Sequence, residues 1–447
     1  MQLSRFVVRY LDVQPDEHVL YDVLGDRYVG VDGATLGVVD EWTGGRAPAG
    51  QDELETAAAL AEAGFLVDGR ATDDARLRAH LEEASEGVRG ELYVTLMPTL
   101  RCNLACNYCF QKEHPAFTRM KDDVEDATHE WILRKLDASA CRVLRVHYFG
   151  GEPMTRKDYL LRSAELLQSA MRARGGTFAW ELTTNGIGCD LAFVTAMNAH
   201  GEGSIKFTLD GDKPTHDAVR VYRDGRGTFD EIFANALAIA PHVRLRIGGN
   251  FLPEQAPSYE ALLDRIEASG LARHLEMVRF KPIVDSELKQ LGCGSCADKT
   301  SPAETAALVQ LTRSVQRRGL DGAHDAADRI GACELHWKHS YTIDPEGRVY
   351  KCPAVAGRAE MAVADVRAAA ETPEKVAPLV ALRPWRECGD CPYLPVCVGG
   401  CLAASYLETG RLDRVFCKKQ NLEALYRDSV LRRYHDEFGG NDAVEAA

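Results

Sequence analysis

Between residues 92 and 283 short apolar runs alternate with amphipathic ones, and this alternation constrains the fold more than any other feature. Strands are predicted at 92–97, 143–149, 178–183, 204–209, 243–248 and 277–283, with helices at 122–138, 156–174, 190–200, 228–239 and 257–269. The 156–174 segment is the clearest. Leu160, Ala164, Leu167 and Met171 share a face, Arg172 and Arg174 fall in the last turn, and Gly175-Gly176 ends it. Six strands separated by helices imply an α/β fold with a parallel sheet and right-handed crossovers. Functional groups in such sheets gather at the carboxyl ends of the strands.

The flanks differ in texture. Residues 1–88 read as a small α+β module with strands at Phe6–Tyr10, His18–Val23 and Arg27–Val31 and a type II′ hairpin signal at Gly25-Asp26. Helices follow near 34–42 and 52–64, the second with Leu54, Ala58 and Ala61 on one face and a stop at Gly64, and residues 73–88 read as a charged helical linker. The α/β unit takes residues 89–290 and a bridging helix region takes 291–332, where Ser301-Pro302-Ala303-Glu304 forms a capping box. Residues 333–447 are rich in cysteine and glycine with little regular period, so metal rather than core is expected to hold them.

The chain of 447 residues has 14 cysteines, seven of them between 333 and 417. Asp12 and Asp16 fall too early for a signal peptide, and no apolar run approaches the roughly 18 residues of a membrane span. Clustered cysteines without a secretion signal ligate metal or carry redox chemistry more often than they form disulfides, so a cytoplasmic location is expected. The net charge of −14 argues against a general nucleic-acid or anionic-membrane binder. Nucleotide-hydrolysing G-x4-G-K-[ST], zinc-protease H-E-x2-H and hydrolase G-x-S-x-G elements are all missing from the sequence.

Cys102, Cys106 and Cys109 form a C-x3-C-x2-C spacing just after the first strand of the alternation, followed by Phe110. Three thiolates on one tight loop can hold three irons of a cubane cluster and leave the fourth open to a substrate or cofactor. A zinc site short of one ligand and spare core thiols are the competing readings. Gly150-Gly151-Glu152-Pro153 follows the second strand and Thr183-Thr184-Asn185-Gly186 the third. Thr208-Leu209-Asp210-Gly211 follows the fourth and leads into His216-Asp217, Arg220, Gly225, Gly227 and Phe229. In this order these elements resemble the radical SAM superfamily, over roughly 92–283, with Thr208 where the peptide-modifying branch usually has Ser.

The resemblance implies a partial (β/α)6 barrel and a [4Fe–4S] cluster on Cys102, Cys106 and Cys109. That cluster would reduce S-adenosylmethionine to give a 5′-deoxyadenosyl radical, which abstracts hydrogen from a substrate. It further implies that Gly150, Gly151 and Glu152 bind the methionyl amino group, that Thr208 and Arg220 take its carboxylate, that Phe110 lies against the adenine, and that Thr184 and Asn185 belong to the same cofactor site.

The remaining cysteines fall as Cys333-x13-Gly347-x4-Cys352, then Cys388-x2-Cys391-x5-Cys397-x3-Cys401, then Cys417. This spacing resembles the SPASM extension and implies two auxiliary iron–sulfur clusters. Cys388, Cys391, Cys397 and Cys417 would hold one, and Cys333, Cys352 and Cys401 the other. The latter is one ligand short: Cys293 or Cys296 closes it, or its iron is open to substrate. Cys141 and Cys189 read as buried structural thiols.

Relatives with this extension act mostly on peptides and proteins. Sulfatase-maturing members, which make formylglycine, carry Asp directly after the G-x4-C cysteine, whereas Pro353 stands here. Residues 1–88 resemble in outline the winged-helix leader-recognition domains of peptide maturases, which bind a leader as an added edge strand; a plain structural cap is the other reading. The expectation is therefore a radical SAM/SPASM maturase that cross-links a ribosomally made precursor peptide oxidatively, by thioether or carbon–carbon bonds. It implies a precursor peptide and an external one-electron donor such as a flavodoxin or ferredoxin as partners, and neither nucleic acid nor membrane. A sulfatase-maturing enzyme and a non-catalytic iron–sulfur electron carrier are the alternatives.

Overall fold

The computed structural model describes residues 1–87, 90–109, 119–283, 300–322, 333–368 and 373–438. Phe110, Cys293 and Cys296, expected to contact adenine or iron, lie outside the described residues.

The amino-terminal part is built from β1 (Gln2–Leu3), β2 (Val7–Gln14), β3 (Glu17–Asp22), β4 (Arg27–Asp32), α1 (Gly33–Thr43), α2 (Gln51–Glu62), β5 (Leu66–Val67) and α3 (Arg70–Ser85). Strands β2, β3 and β4 form an antiparallel sheet, and β1 pairs with β5. Val7, Leu20 and Val31 on one face of the sheet meet Val39 and Trp42 of α1 and Ala57 and Leu60 of α2. The buried face of α2 is therefore Ala57 and Leu60, while Leu54, expected inside, is 52% exposed. The β3–β4 turn also differs from the II′ expectation: Asp26, not Gly25, has positive φ (54°). Gly25 is needed for space, since a Cβ there would lie 2.6 Å from Asp22 Oδ2.

Helix α3 is more than a linker. Its Asp73 is fully buried and accepts hydrogen bonds from Ser4 Oγ (2.8 Å) and the Arg5 amide (2.9 Å), while Arg76 pairs with buried Asp22 at 2.8 Å.

The central unit runs β6 (Glu91–Leu96), α4 (Asp122–Asp137), β7 (Val143–Tyr148), α5 (Lys157–Ala173), β8 (Thr177–Thr184), α6 (Leu191–Asn198), β9 (Glu202–Thr208), α7 (Lys213–Val219), α8 (Phe229–Ile239), β10 (Arg244–Phe251), α9 (Ala256–Ala268) and β11 (Leu275–Pro282). Strands β6 to β11 pair parallel in sequence order. Leu160, Ala164, Leu167 and Met171 of α5 are buried against Leu144, Val146 and Tyr148 of β7 in the main core, together with Cys141 and Cys189. The other face of the sheet is polar. Glu91, Arg145, Glu181, Arg246 and Glu276 alternate in charge across it at 3.0, 3.8, 3.9 and 3.3 Å, so each carboxylate or guanidinium taken from water meets a countercharge.

The capping box is present at the start of α10 (Pro302–Arg317): Ser301 and Glu304 exchange hydrogen bonds. Beyond it come β12 (Ser340–Ile343), β13 (Arg348–Tyr350), β14 (Ala364–Asp365), α11 (Pro373–Val380), α12 (Leu394–Cys397), α13 (Leu402–Thr409) and α14 (Lys419–Phe438). This region, which has little regular period in the sequence, does form short regular elements. Strand β12 pairs parallel with β6, and β13 and β14 follow antiparallel, giving a nine-stranded sheet ordered β11-β10-β9-β8-β7-β6-β12-β13-β14. The strands are only two to four residues long, too short for a periodic signal. Helix α14 then returns to the amino-terminal sheet. Its Leu422, Tyr426, Val430 and Tyr434 bury the second face of that sheet with Tyr10, Val19 and Tyr21, and Gly30 leaves room for Tyr434. Among the described residues no helix is long and apolar enough to cross a membrane.

Candidate functional site

The first three cysteines sit where the loop after β6 meets the loops after β7 and β8. Thr99 and Arg101 carbonyls accept hydrogen bonds from the Gly151 amide (2.9 Å) and the Glu152 amide (2.8 Å). The two glycines are required by this approach. A Cβ on Gly150, whose φ is 131°, would lie 2.4 Å from the Thr99 carbonyl oxygen, and one on Gly151 would lie 2.3 Å from that of Arg101. The Gly-Gly-Glu turn thus fixes the backbone that presents Cys102.

Glu152 is 1% exposed, and its carboxylate accepts from the Met154 amide (2.8 Å), Thr184 Oγ1 (2.7 Å) and the Asn185 amide (2.7 Å). Burial lifts its carboxyl from 4.5 to about 7 despite these donors. Asn185 Nδ2 donates to Asn103 Oδ1 at 2.7 Å and approaches Cys102 Sγ at 3.8 Å. Of the residues singled out in the sequence, Cys102, Gly150, Gly151, Glu152, Thr184 and Asn185 therefore form one connected group. Thr208 ends β9 opposite Gly248.

Arg220 is held inside the protein by its Nη1, while its buried Nε has no hydrogen-bond partner. Its Nη1 donates to Tyr108 Oη (2.7 Å) and stands 3.6 Å from Asp210 Oδ2. Tyr108 also donates to Asp210, whose other oxygen accepts the Asn250 amide at 2.8 Å. Arg220 is 9% exposed, so its pairing with Asp210 is a buried one. Sequence reasoning does not single out Tyr108, Asp210 or Asn250 as site residues, although Tyr108 lies between Cys106 and Cys109, and Asp210 inside the Thr-Leu-Asp-Gly run. His216 and Asp217 are structural. His216 accepts from the Asp210 amide (3.2 Å) and pairs with Thr228 Oγ1 (3.0 Å), and Asp217 accepts from the Thr228 and Phe229 amides (2.8 and 2.9 Å) at the start of α8. The segment after α7 holds the cysteine loop directly: the Ala105 amide donates to Val221 O (2.9 Å), and Arg223 Nη2 donates to Cys102 O (3.0 Å).

Burial, with smaller contributions from Glu152, Cys106 and Cys109, pushes the Cys102 thiol up to about 12, opposed by the Leu104 amide that donates to its sulfur at 3.4 Å. The three thiols share one loop and Cys106 and Cys109 act electrostatically on Cys102, which has an amide donor already on its sulfur. This donor set fits a thiolate-held iron–sulfur cluster, whose sulfurs take backbone N–H bonds.

The seven later cysteines fall into two groups. Cys388, Cys391, Cys397 and Cys417 act electrostatically on one another, while burial is the main force raising the first three. Gly400, with φ of 86°, brings their segments together: a Cβ there would sit 2.0 Å from the Phe416 carbonyl oxygen. Cys352 and Cys401 are buried in one apolar cluster with Cys333 at its margin, packed against Met97, Leu100 and Phe149 of the central unit. The Cys401 sulfur caps α13, accepting from the Ala404 amide at 3.4 Å. Both donor sets fit thiolate-held clusters. Among the described residues no three His, Cys, Asp or Glu side chains converge on a single metal ion. Cluster thiolates, spaced by iron and sulfide, stand further apart than the ligands of one ion.

Residues 96–251 match the family model of the radical SAM superfamily, so the chain carries a radical SAM domain and is an enzyme. A serine-type anaerobic sulfatase-maturating enzyme of Klebsiella aerogenes is 25% identical over 331 residues, covering 68% of this chain and 77% of that protein. Mycofactocin maturase MftC of Mycobacterium ulcerans is 26% identical over 375 residues, covering 74% and 89%. In fold the chain is similar to Streptococcus suis SuiB bound to its precursor peptide SuiA, with a TM-score of 0.53, 14% identity, and coverage of 94% of this chain and 99% of that one.

Proposed function

We propose that the chain is a radical SAM/SPASM maturase that oxidatively cross-links a ribosomally made precursor peptide. The observation that carries this reading is the buried Glu152–Thr184–Asn185 group bonded to the Cys102 loop. It sets one buried carboxylate, oriented by two amides and a hydroxyl, beside the Cys102 loop, which suits a ligand that carries an ammonium and also touches a cluster. When bound, the cluster and S-adenosylmethionine supply a carbon radical able to abstract hydrogen from an unactivated C–H bond.

The protein's own residues hold, orient and shield. Cys102, Cys106 and Cys109 ligate iron; Gly150 and Gly151 set the loop; Glu152 binds the methionyl ammonium; and Thr184 and Asn185 fix that carboxylate. Arg220, held by Tyr108 and Asp210, is offered for the methionyl carboxylate, with Thr208 and Phe110 completing the site. In the SPASM domain Cys388, Cys391, Cys397 and Cys417 hold one auxiliary cluster. Cys333, Cys352 and Cys401 hold the other, with Cys296 or Cys293 as fourth ligand. An external ferredoxin or flavodoxin supplies electrons, and residues 1–88 receive the leader peptide.

MftC and the precursor-bound SuiB support the peptide-maturase branch. The Klebsiella relative favours sulfatase maturation as the second reading, against which Pro353 stands. Anaerobic reconstitution with S-adenosylmethionine and dithionite tests the proposal. 5′-Deoxyadenosine should be released by the wild type, abolished by Cys102→Ala and retained in part by Cys388→Ala. No release from fully iron-loaded protein refutes it, and iron sufficient for only one cluster refutes the three-cluster arrangement. Co-expression with a short peptide encoded nearby should show loss of two hydrogens per cross-link by mass analysis.

A further inference from the structure

Between α3 and the turn Pro384–Glu387 lies a cavity of about 240 Å3, separate from the cysteine loop and its carboxylate cradle. One of its walls is His336, 2% exposed, with no hydrogen-bond partner on either ring nitrogen. The Leu382 carbonyl lies near the ring without meeting hydrogen-bond geometry. Buried polar side chains are nearly always bonded, so an imidazole left unmatched on a cavity wall marks a place for a ligand group.

The ring is held in place. It meets Trp385 edge-on at 5.4 Å, and its own amide donates to Cys333 O at 2.7 Å. Arg78, Arg383 and Arg386 line the same cavity. Against these three cations stand Asp74 and Glu82, and Asp74 is already paired with Arg5 at 2.5 Å. The electrostatic balance therefore favours an anion. Leu77, Leu81 and Trp385 supply an apolar wall able to take a short methylene stem.

We infer that this cavity binds the carboxylate side chain of a peptide, His336 donating to the carboxylate and the arginines lying around it. A stem with a terminal carboxylate uses both the apolar wall and the cationic end, whereas inorganic phosphate would use only the second. The site joins α3 of the amino-terminal module to the turns that carry Cys333 and Cys388, the latter bonded through its amide to Trp385 O at 2.9 Å. Naming that peptide as the precursor rests on the proposed function; the cavity's chemistry does not.

The probes are N-acetylglutamate methylamide and its neutral isostere N-acetylglutamine methylamide, observed by saturation-transfer NMR on the full, iron-loaded chain. Transfer to the glutamate probe should fall about tenfold in His336→Phe, which keeps the ring packing, and on changing to the glutamine probe. Arg78→Ala, an exposed change on α3, should weaken it in the same direction and decides the matter alone where His336→Phe fails to fold. Equal transfer to both probes, or transfer untouched by the substitutions, overturns the inference. Probe binding in a wild-type protein that releases no 5′-deoxyadenosine would instead refute the functional reading and leave this site standing.

Discussion

Glu152→Gln tests the cofactor cradle most directly. The carboxylate is buried and receives three donors, at 2.8, 2.7 and 2.7 Å. A glutamine keeps the shape but turns an NH2 group towards at least one of them. Leaving a buried donor unsatisfied costs about 1–3 kcal/mol, so the unfolding temperature should fall by several degrees. The same change removes the charge that faces the methionyl ammonium. A hydrogen bond to a charged group contributes about 1.5–3 kcal/mol, so S-adenosylmethionine should bind about ten- to a hundredfold more weakly.

The pH dependence gives an independent signature. Burial lifts the Glu152 carboxyl from 4.5 to about 7 in the fold. The folded value lies above the unfolded one, so this contribution is complete below about pH 4.5 and is lost as pH rises through about 7, a change on the order of 3 kcal/mol. Ligand-free wild-type protein should lose this stability as pH rises, and Glu152→Gln should not. Binding of S-adenosylmethionine, which needs the carboxylate, should tighten over the same interval. The assays are anaerobic titration calorimetry on the iron-loaded enzyme and thermal unfolding from pH 5 to 8. A dissociation constant within about twofold of wild type at pH 8 would refute the assigned role.

Arg220→Met leaves Asp210 buried without its cation and should cost about 3–5 kcal/mol, read as a lowered denaturant midpoint; an unchanged midpoint would show the pair contributes nothing. Gly400→Ala should drive the Cys397–Cys401 loop away from Phe416 and lower iron per chain by one cluster's worth while 5′-deoxyadenosine release persists. Full iron content would refute the close approach. Deleting residues 1–88 uncovers Tyr426, Val430 and Tyr434 of α14 and should cause aggregation, measured by light scattering. A stable monomeric remainder would show that this contact is dispensable.

The six parallel strands were legible because each is long enough, at six to eight residues, for its apolar period to stand out. The cysteine spacings and the Gly-Gly-Glu turn were legible because ligation and close backbone approach admit few residue types. The buried face of α2 was misread because Ala57 and Ala58 are equally apolar, and only the position of the sheet chooses between them. Nor did periodicity show β12, which lies between β6 and β13 and whose four residues are all buried, so no alternation marks it.

The sequence by itself therefore determined the parallel α/β unit, the three-cysteine loop at the end of its first strand and the seven-cysteine tail, all of which depend on local period and spacing. Only the tertiary structure decided that Glu152 is buried under three donors, that Arg220 is bound to Tyr108 and Asp210, and that α14 closes over the amino-terminal sheet. Those facts depend on contacts between segments tens to hundreds of residues apart, and burial, which sets the charge and partners of each such group, is a property of the assembled core rather than of any stretch of chain.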